Sequence, residues 1–237
     1  MKIKVIGSGS IWSISNSACY LVDDIFLVDM PNGCMKNMLK LNINPKSVNN
    51  ILFTHFHGDH YLDVPFYLLG KLKSDVKDIR IMCNKDGARK IKKVTKLAFP
   101  NTYKTICKEL RVCFNNGFNF NINDYSIEKI LVDHGRMKPA YGYIISKGNK
   151  SVGFTGDSKL VNSIKYIASK CDVLFCDVSF IKGTSKHMGI NDIVNLCSEY
   201  PECKFISTHM NDDVREELSK MSICNLVVGY DGMEVSI

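Results

Sequence analysis

The chain has 237 residues, 45 % of them hydrophobic and 23 % charged, with 31 basic against 24 acidic side chains and a net charge of +7; this is enough apolar material for a sizeable core, and no stretch has the composition of a disordered chain. No window approaches the roughly 20 apolar residues of a membrane span, and Met1–Ile6 enters a strand pattern at once, without the apolar region and small-residue cleavage site of an export signal. Ten cysteines without a Cys-x-x-Cys pair then read as reduced thiols of a cytoplasmic protein, which excludes a disulfide scaffold, a zinc ribbon and a redox motif.

Lys2–Ile6 alternates Lys with Ile and Val, the period of a half-buried strand. Gly7-Ser8-Gly9-Ser10 breaks it. With no third glycine and no Gly-Lys-Ser/Thr, that segment is a tight turn bordering a pocket, not a phosphate loop. Ile11–Asn16 holds the only tryptophan, Trp12, and is too polar for a core strand; it is placed as a loop at the pocket edge. Ala18–Val22 and Ile25–Val28, joined by Asp23-Asp24, predict a hairpin whose second strand ends at Asp29. Met35–Leu41 reads as a short helix, Ile43–Val48 as a connector, and Ile51–Phe53 as a strand.

Beyond that strand, Leu62–Leu72 has helical spacing with Pro65 in its first turn. Ile79–Cys83 is a strand, and Asn84 caps a helix over Lys85–Ala98. The segment Lys85–Lys108 carries Lys85, Arg89, Lys90, Lys92, Lys93, Lys96, Lys104 and Lys108 against Asp86. It could attract an anionic substrate, but a solvated helix face is the weightier reading, and it does not by itself indicate nucleic acid. Thr102–Asn123 is weakly patterned, with a turn expected at Asn115-Asn116-Gly117. Tyr125–Val132 is a strand, and Tyr141–Ile145 with Ser151–Phe154 a hairpin around Lys147-Gly148-Asn149. Helices over Val161–Ala168, Ile190–Glu199 and Val214–Met221 alternate with strands over Asp172–Cys176, Lys204–Ser207 and Leu226–Val228, and a last strand spans Met233–Ile237. No linker, repeat or low-complexity segment divides the chain, so one domain over residues 1–237 is expected.

The stretch that organises the rest is Thr54-His55-Phe56-His57-Gly58-Asp59-His60, directly after the Ile51–Phe53 strand. Three imidazoles and a carboxylate within six residues are hard to explain as packing. In extended chain His55 and His57 share a side and can grip one cation. Asp59 and His60, past Gly58, can turn to a second. His134, Asp157 and His209 each follow a strand as well, so a layered sheet core would bring them to the same rim. The pattern is that of a two-metal site with nitrogen and oxygen donors, suited to zinc and also to manganese or iron.

In order and local context these residues, with Asp29 at an early strand end, resemble the five motifs of the metallo-β-lactamase superfamily over nearly the whole chain. The resemblance implies an α/β fold, an αββα sandwich of two mixed sheets flanked by helices, with two divalent metal ions at one edge. His55, His57 and His134 would bind the first metal; Asp59, His60 and His209 would bind the second, with Asp157 bridging. Between two dications a water loses its proton near neutral pH and becomes a nucleophile, which Asp59 can orient. Asp29 would order the backbone or the ligand histidines, a purely structural aspartate being an equal alternative.

Asp177-Val178-Ser179-Phe180 and Ser185-Lys186-His187-Met188-Gly189, with the ending Gly229-Tyr230-Asp231-Gly232-Met233-Glu234, resemble one branch of that superfamily. It comprises the tRNA 3′-processing nuclease, ribonuclease Z, and the small cyclic phosphodiesterases of phosphonate breakdown. The likeness implies that His187 faces the scissile phosphate as charge stabiliser or acid and that Asp177 fixes its tautomer. Asp177 departs from the Glu usual in the tRNA nuclease. Only 22 residues separate His134 from Asp157, where the bacterial tRNA nuclease carries its long tRNA-gripping arm. The expected function is therefore hydrolysis of a small or exposed phosphodiester, a cyclic nucleotide or cyclic phosphate, with a small anionic substrate and no stable nucleic-acid or membrane partner. Lactone or thioester hydrolysis is the alternative, followed by a nuclease acting on RNA ends. Homodimers are common in this branch, though no stretch here identifies an interface.

Overall fold

The computed structural model describes all 237 residues. One sheet contains β1 (Lys2–Gly7), β2 (Cys19–Val22), β3 (Phe26–Val28), β4 (Asn50–Leu52), β5 (Asp78–Met82) and β6 (Arg111–Asn115), with β14 (Glu234–Ser236) beside β1, in the order β14-β1-β2-β3-β4-β5-β6. The other contains β7 (Asn119–Ile122), β8 (Tyr125–His134), β9 (Met137–Lys147), β10 (Lys150–Phe154), β11 (Val173–Asp177), β12 (Lys204–Thr208) and β13 (Leu226–Val228), in the order β13-β12-β11-β10-β9-β8-β7. Both sheets are mixed. From β14 to β3 and from β7 to β10 neighbouring strands are antiparallel; from β3 to β6 and from β10 to β13 they are parallel.

Alternation along the strands builds the layers. Tyr20, Val22, Phe26 and Val28 face Tyr143, Val152, Phe154, Val173 and Phe175 across the inter-sheet core, while Leu21 and Leu27, or Leu174 and Cys176, point outward. Strands buried on both faces in this way need helices outside. The first sheet is covered by α1 (Cys34–Lys40), α3 (Val64–Lys71), α4 (Lys85–Ala98) and α5 (Tyr103–Glu109), which contribute Met38, Tyr67, Ile91 and Ile106. The second is covered by α6 (Asn162–Ala168), α7 (Ile190–Glu199) and α8 (Asp212–Ser219), through Ile167, Leu196 and Val214. The four layers are the αββα sandwich that the motifs implied. No helix is long and apolar enough to cross a membrane.

Most expected elements fall within a residue or two of their places. Asp23 and Asp24 both have positive φ, and the Ile25 N–H closes the turn on the Val22 carbonyl at 2.9 Å, the conformation of a tight hairpin turn. Asn84 caps α4 by accepting from the Gly87 N–H at 2.7 Å. Three stretches differ: β9 begins at Met137, four residues before the expected Tyr141, and two others depart further. Leu62–Leu72 is preceded by a separate turn of helix, α2 (Gly58–Tyr61), so the apolar spacing becomes regular only from Val64. The weakly patterned segment after Thr102 holds α5, β6 and β7. The turn at Asn115-Asn116-Gly117 is not a hairpin: β6 ends one sheet and β7 the other. Both are edge strands with partly exposed side chains, so alternation there is faint. The basic residues of α4 lie mainly on its exposed face.

The inter-sheet core centres on Phe154, which stacks on Phe175 at 5.3 Å and 12° and meets Tyr20 at 5.0 Å. Phe154→Ala should lower the unfolding free energy by about 3–5 kcal/mol, the range for a buried aromatic truncated to Ala, read as a lowered midpoint in urea denaturation.

Candidate metal centre

Six segments deliver side chains to one edge of the sandwich: the ends of β3, β4, β10, β11 and β12, and the tip of the β8–β9 hairpin. They supply in turn Asp29; His55 to His60; Asp157; Asp177; His209; and His134. His134 is the last residue of β8, beyond a bulge at Val132/His134 and paired with Met137, rather than past the strand. Asp29 and His209 adopt positive φ, a conformation Asp and His take up more readily than most residues. Gly156, at φ +58, is held where a Cβ would lie 2.6 Å from the Tyr141 carbonyl oxygen and 2.9 Å from Thr54 Cβ. Only glycine lets the chain turn there and present Asp157.

The structure brings all seven candidate ligands together, in two groups joined by one carboxylate. Asp157 Oδ2 lies 3.7 Å from His55 Nε2 and 3.7 Å from His134 Nε2. Its other oxygen, Oδ1, lies 3.5 Å from His60 Nε2 and 3.5 Å from His209 Nε2. His57 completes the first group: its Nδ1 is 3.0 Å from His55 Nε2 and 3.1 Å from His134 Nε2. Asp59 completes the second, with Oδ2 3.7 Å from both His60 Nε2 and His209 Nε2.

These separations fit bound cations. Donors 2.0–2.1 Å from a zinc ion at tetrahedral angles stand about 3.3–3.4 Å apart. The buried Nε2 atoms of His60 and His209 have no hydrogen-bond partner, an expensive condition unless a cation satisfies them. The residues thus fit two divalent ions, with His55, His57, His134 and Asp157 holding one, and Asp59, His60, His209 and Asp157 the other.

Hydrogen bonds behind the cluster fix the tautomers. Asp29 accepts from the Thr54 N–H at 2.8 Å and the Thr54 hydroxyl at 2.7 Å, and from His60 Nδ1 at 2.8 Å. One carboxylate thereby clamps both ends of the histidine-rich turn. Because the Thr54 hydroxyl donates to Asp29, it is left to accept from His55 Nδ1 at 3.1 Å. His134 Nδ1 donates to the Lys186 carbonyl at 3.1 Å, and His209 Nδ1 to Ser179 Oγ at 2.8 Å. In each of these four rings Nε2 is turned toward the cluster with its lone pair free.

Electrostatics divide the groups. Burial pushes the pKa of His55, His57 and His134 down, so these rings are held neutral. Burial acts the same way on His60 and His209, but Asp157 with Asp29 or Asp177 outweighs it, holding His60 well above its ordinary value and raising His209 to about 10; the carboxylates thus draw positive charge to these two Nε2 atoms, which a bound cation would supply in place of a proton. Burial alone would raise the Asp157 pKa, yet His209, His60 and His55 hold it well below the carboxylate range.

His187 stands beside the cluster. Its Nδ1 donates to Asp177 Oδ2 at 2.8 Å; its ring lies parallel to His209 at 5.6 Å and edge-on to His134 at 4.7 Å. Asp177 is itself held by the Ser158 N–H at 3.0 Å and, through Oδ1, by the Ser179 hydroxyl at 2.5 Å. Burial works against charge on His187, but the hydrogen bond and charge of Asp177 raise its pKa overall. Sequence reasoning passed over Ser179, whose hydroxyl joins Asp177 to His209. The available signal was the two-residue spacing, which puts Ser179 on the same side of the chain as Asp177.

A sequence model of the beta-lactamase superfamily domain matches residues 26–210. Ribonuclease Z of Bacillus subtilis (strain 168) is 23 % identical across 90 % of this chain and 89 % of its own. The match to ribonuclease Z of Thermococcus onnurineus (strain NA1), 28 % identical, covers 54 % of this chain and 39 % of that one. Among solved structures, the metallo-beta-lactamase fold protein YhfI from Bacillus subtilis superposes with a TM-score of 0.80 at 17 % identity, covering 99 % of each chain. A diphosphatase from the PhnP family superposes at 0.78 and 19 % identity, covering 100 % of this chain and 97 % of its own.

Because Asp157 serves both groups, Asp157→Ala should reduce bound divalent metal from about two ions per chain to less than one, whereas His57→Ala should remove about one; elemental analysis after dialysis distinguishes them. Asp29→Ala should weaken divalent-metal binding about 10- to 100-fold, the usual effect of losing a carboxylate that orients a ligand histidine, read by competition with a chromophoric chelator.

Proposed function

The chain belongs to the β-lactamase superfamily, and from that premise we propose that it is a two-metal hydrolase of small or exposed phosphodiesters, with cyclic nucleotides and cyclic phosphates as the favoured substrates. The observation that carries this reading is His187, an imidazole beside the cluster whose Nδ1 is committed to Asp177. With Nδ1 so occupied, Nε2 is the atom left to meet a substrate oxygen.

When bound, two divalent cations, zinc being favoured by the donor set with manganese or iron as alternatives, would supply a water of lowered pKa and neutralise negative charge on the substrate. The remaining work falls to the protein. Asp59 keeps an ionised carboxylate: burial opposes this, but His209 and His60 lower its pKa, so it can orient the attacking water as a hydrogen-bond acceptor. Asp177 favours the charged form of His187, which then donates from Nε2 to a phosphoryl oxygen or to the departing oxygen. Charge on the phosphoryl oxygens and the leaving group is stabilised best by donors already fixed in place. The chain Ser158–Asp177–Ser179 fixes His187 in advance.

The extent of the substrate is argued from what surrounds the site. The 22 residues between His134 and Asp157 are used by the tight β8–β9 turn, the β9 strand and the β9–β10 hairpin. They leave no chain for an arm that would grip a folded RNA. Similarity to a ribonuclease and to a diphosphatase favours reaction at phosphorus over lactone or thioester cleavage. The ribonuclease Z likeness also favours a second reading, cleavage at an exposed RNA end by the same groups.

Metal-loaded protein should hydrolyse a chromogenic phosphodiester, and His187→Ala should lower kcat at least about 100-fold, the scale of a lost acid or charge-stabilising donor, with bound metal unchanged. Lactone or thioester cleavage that does not need His187, with no diester turnover, would overturn the reading.

A further inference from the structure

The segment between β1 and β2 is a tied-down loop rather than a slack one. At its base, Asp231 accepts from the Ser8 N–H and hydroxyl at 2.9 and 2.8 Å, and from the Asn16 N–H and side-chain amide at 2.9 and 2.7 Å. At its tip, Asp212 accepts from the Ser13 hydroxyl at 2.6 Å and the Ile14 N–H at 3.2 Å. Gly9 N–H donates to the Asn16 carbonyl at 2.8 Å across the stem, and a Cβ on Gly9 would lie 2.8 Å from the Ser15 carbonyl oxygen. Two partly exposed carboxylate anchors and a closed stem thus hold one shape.

What this loop presents to solvent is apolar. Trp12, the only tryptophan in the chain, is 88 % exposed, Ile14 93 % and Ile11 61 %. Rigid exposure of three large apolar side chains has no packing rationale and marks a recognition surface. Its place is specific. The Ser10 N–H donates to the Met210 carbonyl at 3.0 Å, and the Ser10 hydroxyl donates to Asn211. Met210 directly follows the candidate ligand His209, so the loop rises from the rim of the metal centre. Phe180, edge-on to His187 at 5.5 Å and partly exposed, is a further aromatic ring beside the metal centre.

We propose that Trp12, flanked by Ile11 and Ile14, is the specificity platform of this site and stacks a flat aromatic group of the substrate, a nucleobase, while the phosphoryl group lies on the metal centre. This rests on the phosphodiester reading above. The floor of the site is all imidazole and carboxylate and suits only the charged part of the substrate. The organic part must lie against the rim, and the rim offers one large exposed ring on a preorganised loop. Stacking on such a ring accepts any base, so the platform would select for an aromatic group rather than for a particular sequence.

Two esters with the same reporter leaving group test this: thymidine 5′-(p-nitrophenyl phosphate) and methyl p-nitrophenyl phosphate. The ratio of kcat/KM for the nucleoside ester to that for the methyl ester should fall about 5- to 100-fold in Trp12→Ala, the range for one lost base–aromatic stack, and return in Trp12→Phe. The emission of the sole tryptophan should be quenched by thymidine 5′-monophosphate and not by inorganic phosphate. An unchanged ratio, or emission indifferent to both ligands, would overturn the proposal. So would a blue shift that grows with protein concentration alone, which would put a second copy of the chain on this loop. If neither ester is turned over, the phosphodiester reading fails on its own, and the quenching still decides whether Trp12 meets a base.

Discussion

The structure depends on one buried carboxylate shared by four imidazoles. Asp157 places Oδ2 between His55 and His134 and Oδ1 between His60 and His209. Burying an ionised carboxylate costs several kcal/mol unless opposing charge and donors surround it. The histidines therefore stabilise the aspartate as much as the aspartate organises them. Removing any one of these groups leaves the others with buried polar atoms and no partner. The cluster is stable only as a set, and only with charge at its centre.

The fold meets that demand by making both sheets end in the same place. Parallel strands β3 and β4 of one sheet and β10, β11 and β12 of the other stop at one edge, and the residue or loop after each strand turns inward. Their registers are tight: Val28 pairs with Leu52, Phe154 with Phe175, and Asp177 with Thr208. A one-residue slip in any of them would carry a ligand to the opposite face of its sheet. The inter-sheet core around Tyr20, Phe154 and Phe175 thus does more than supply stability, since its packing sets the distance between ligands from different sheets.

Behind the ligands, three polar residues act across long chain separations. Asp29 clamps both ends of the histidine-rich turn, Asp177 holds His187 directly and His209 through Ser179, and Asp231 gathers the base of the Trp12 loop. In a low-dielectric surrounding such hydrogen bonds strengthen one another. The Asp177 network joins the flank that holds a candidate ligand to the flank that holds the extra imidazole, so the position of His187 follows that of the second metal site.

Much of this was legible in the chain itself. Alternation and helical spacing gave most of the strands and helices, the resemblance carried by the motifs implied the αββα layers, and the dense run His55 to His60 announced a site, because so many ligating side chains in so short a loop have no packing explanation. His134, Asp157 and His209 were legible one by one as polar residues at strand ends. The elements of residues 102–123 were not, since edge strands such as β6 and β7 bury too little to leave an alternating pattern, and nothing local tells that one closes the first sheet and the other the second. The bridging place of Asp157 was implied by the resemblance, but which of its oxygens meets which imidazoles, the junction at Ser179 and the anchoring of the Trp12 loop to Asp212 and Asp231 were decided by tertiary structure alone. Residue type and spacing determine which side chains can serve; which of them meet depends on strand register and sheet packing, which bring together positions as far apart in the chain as Lys2 and Ser236.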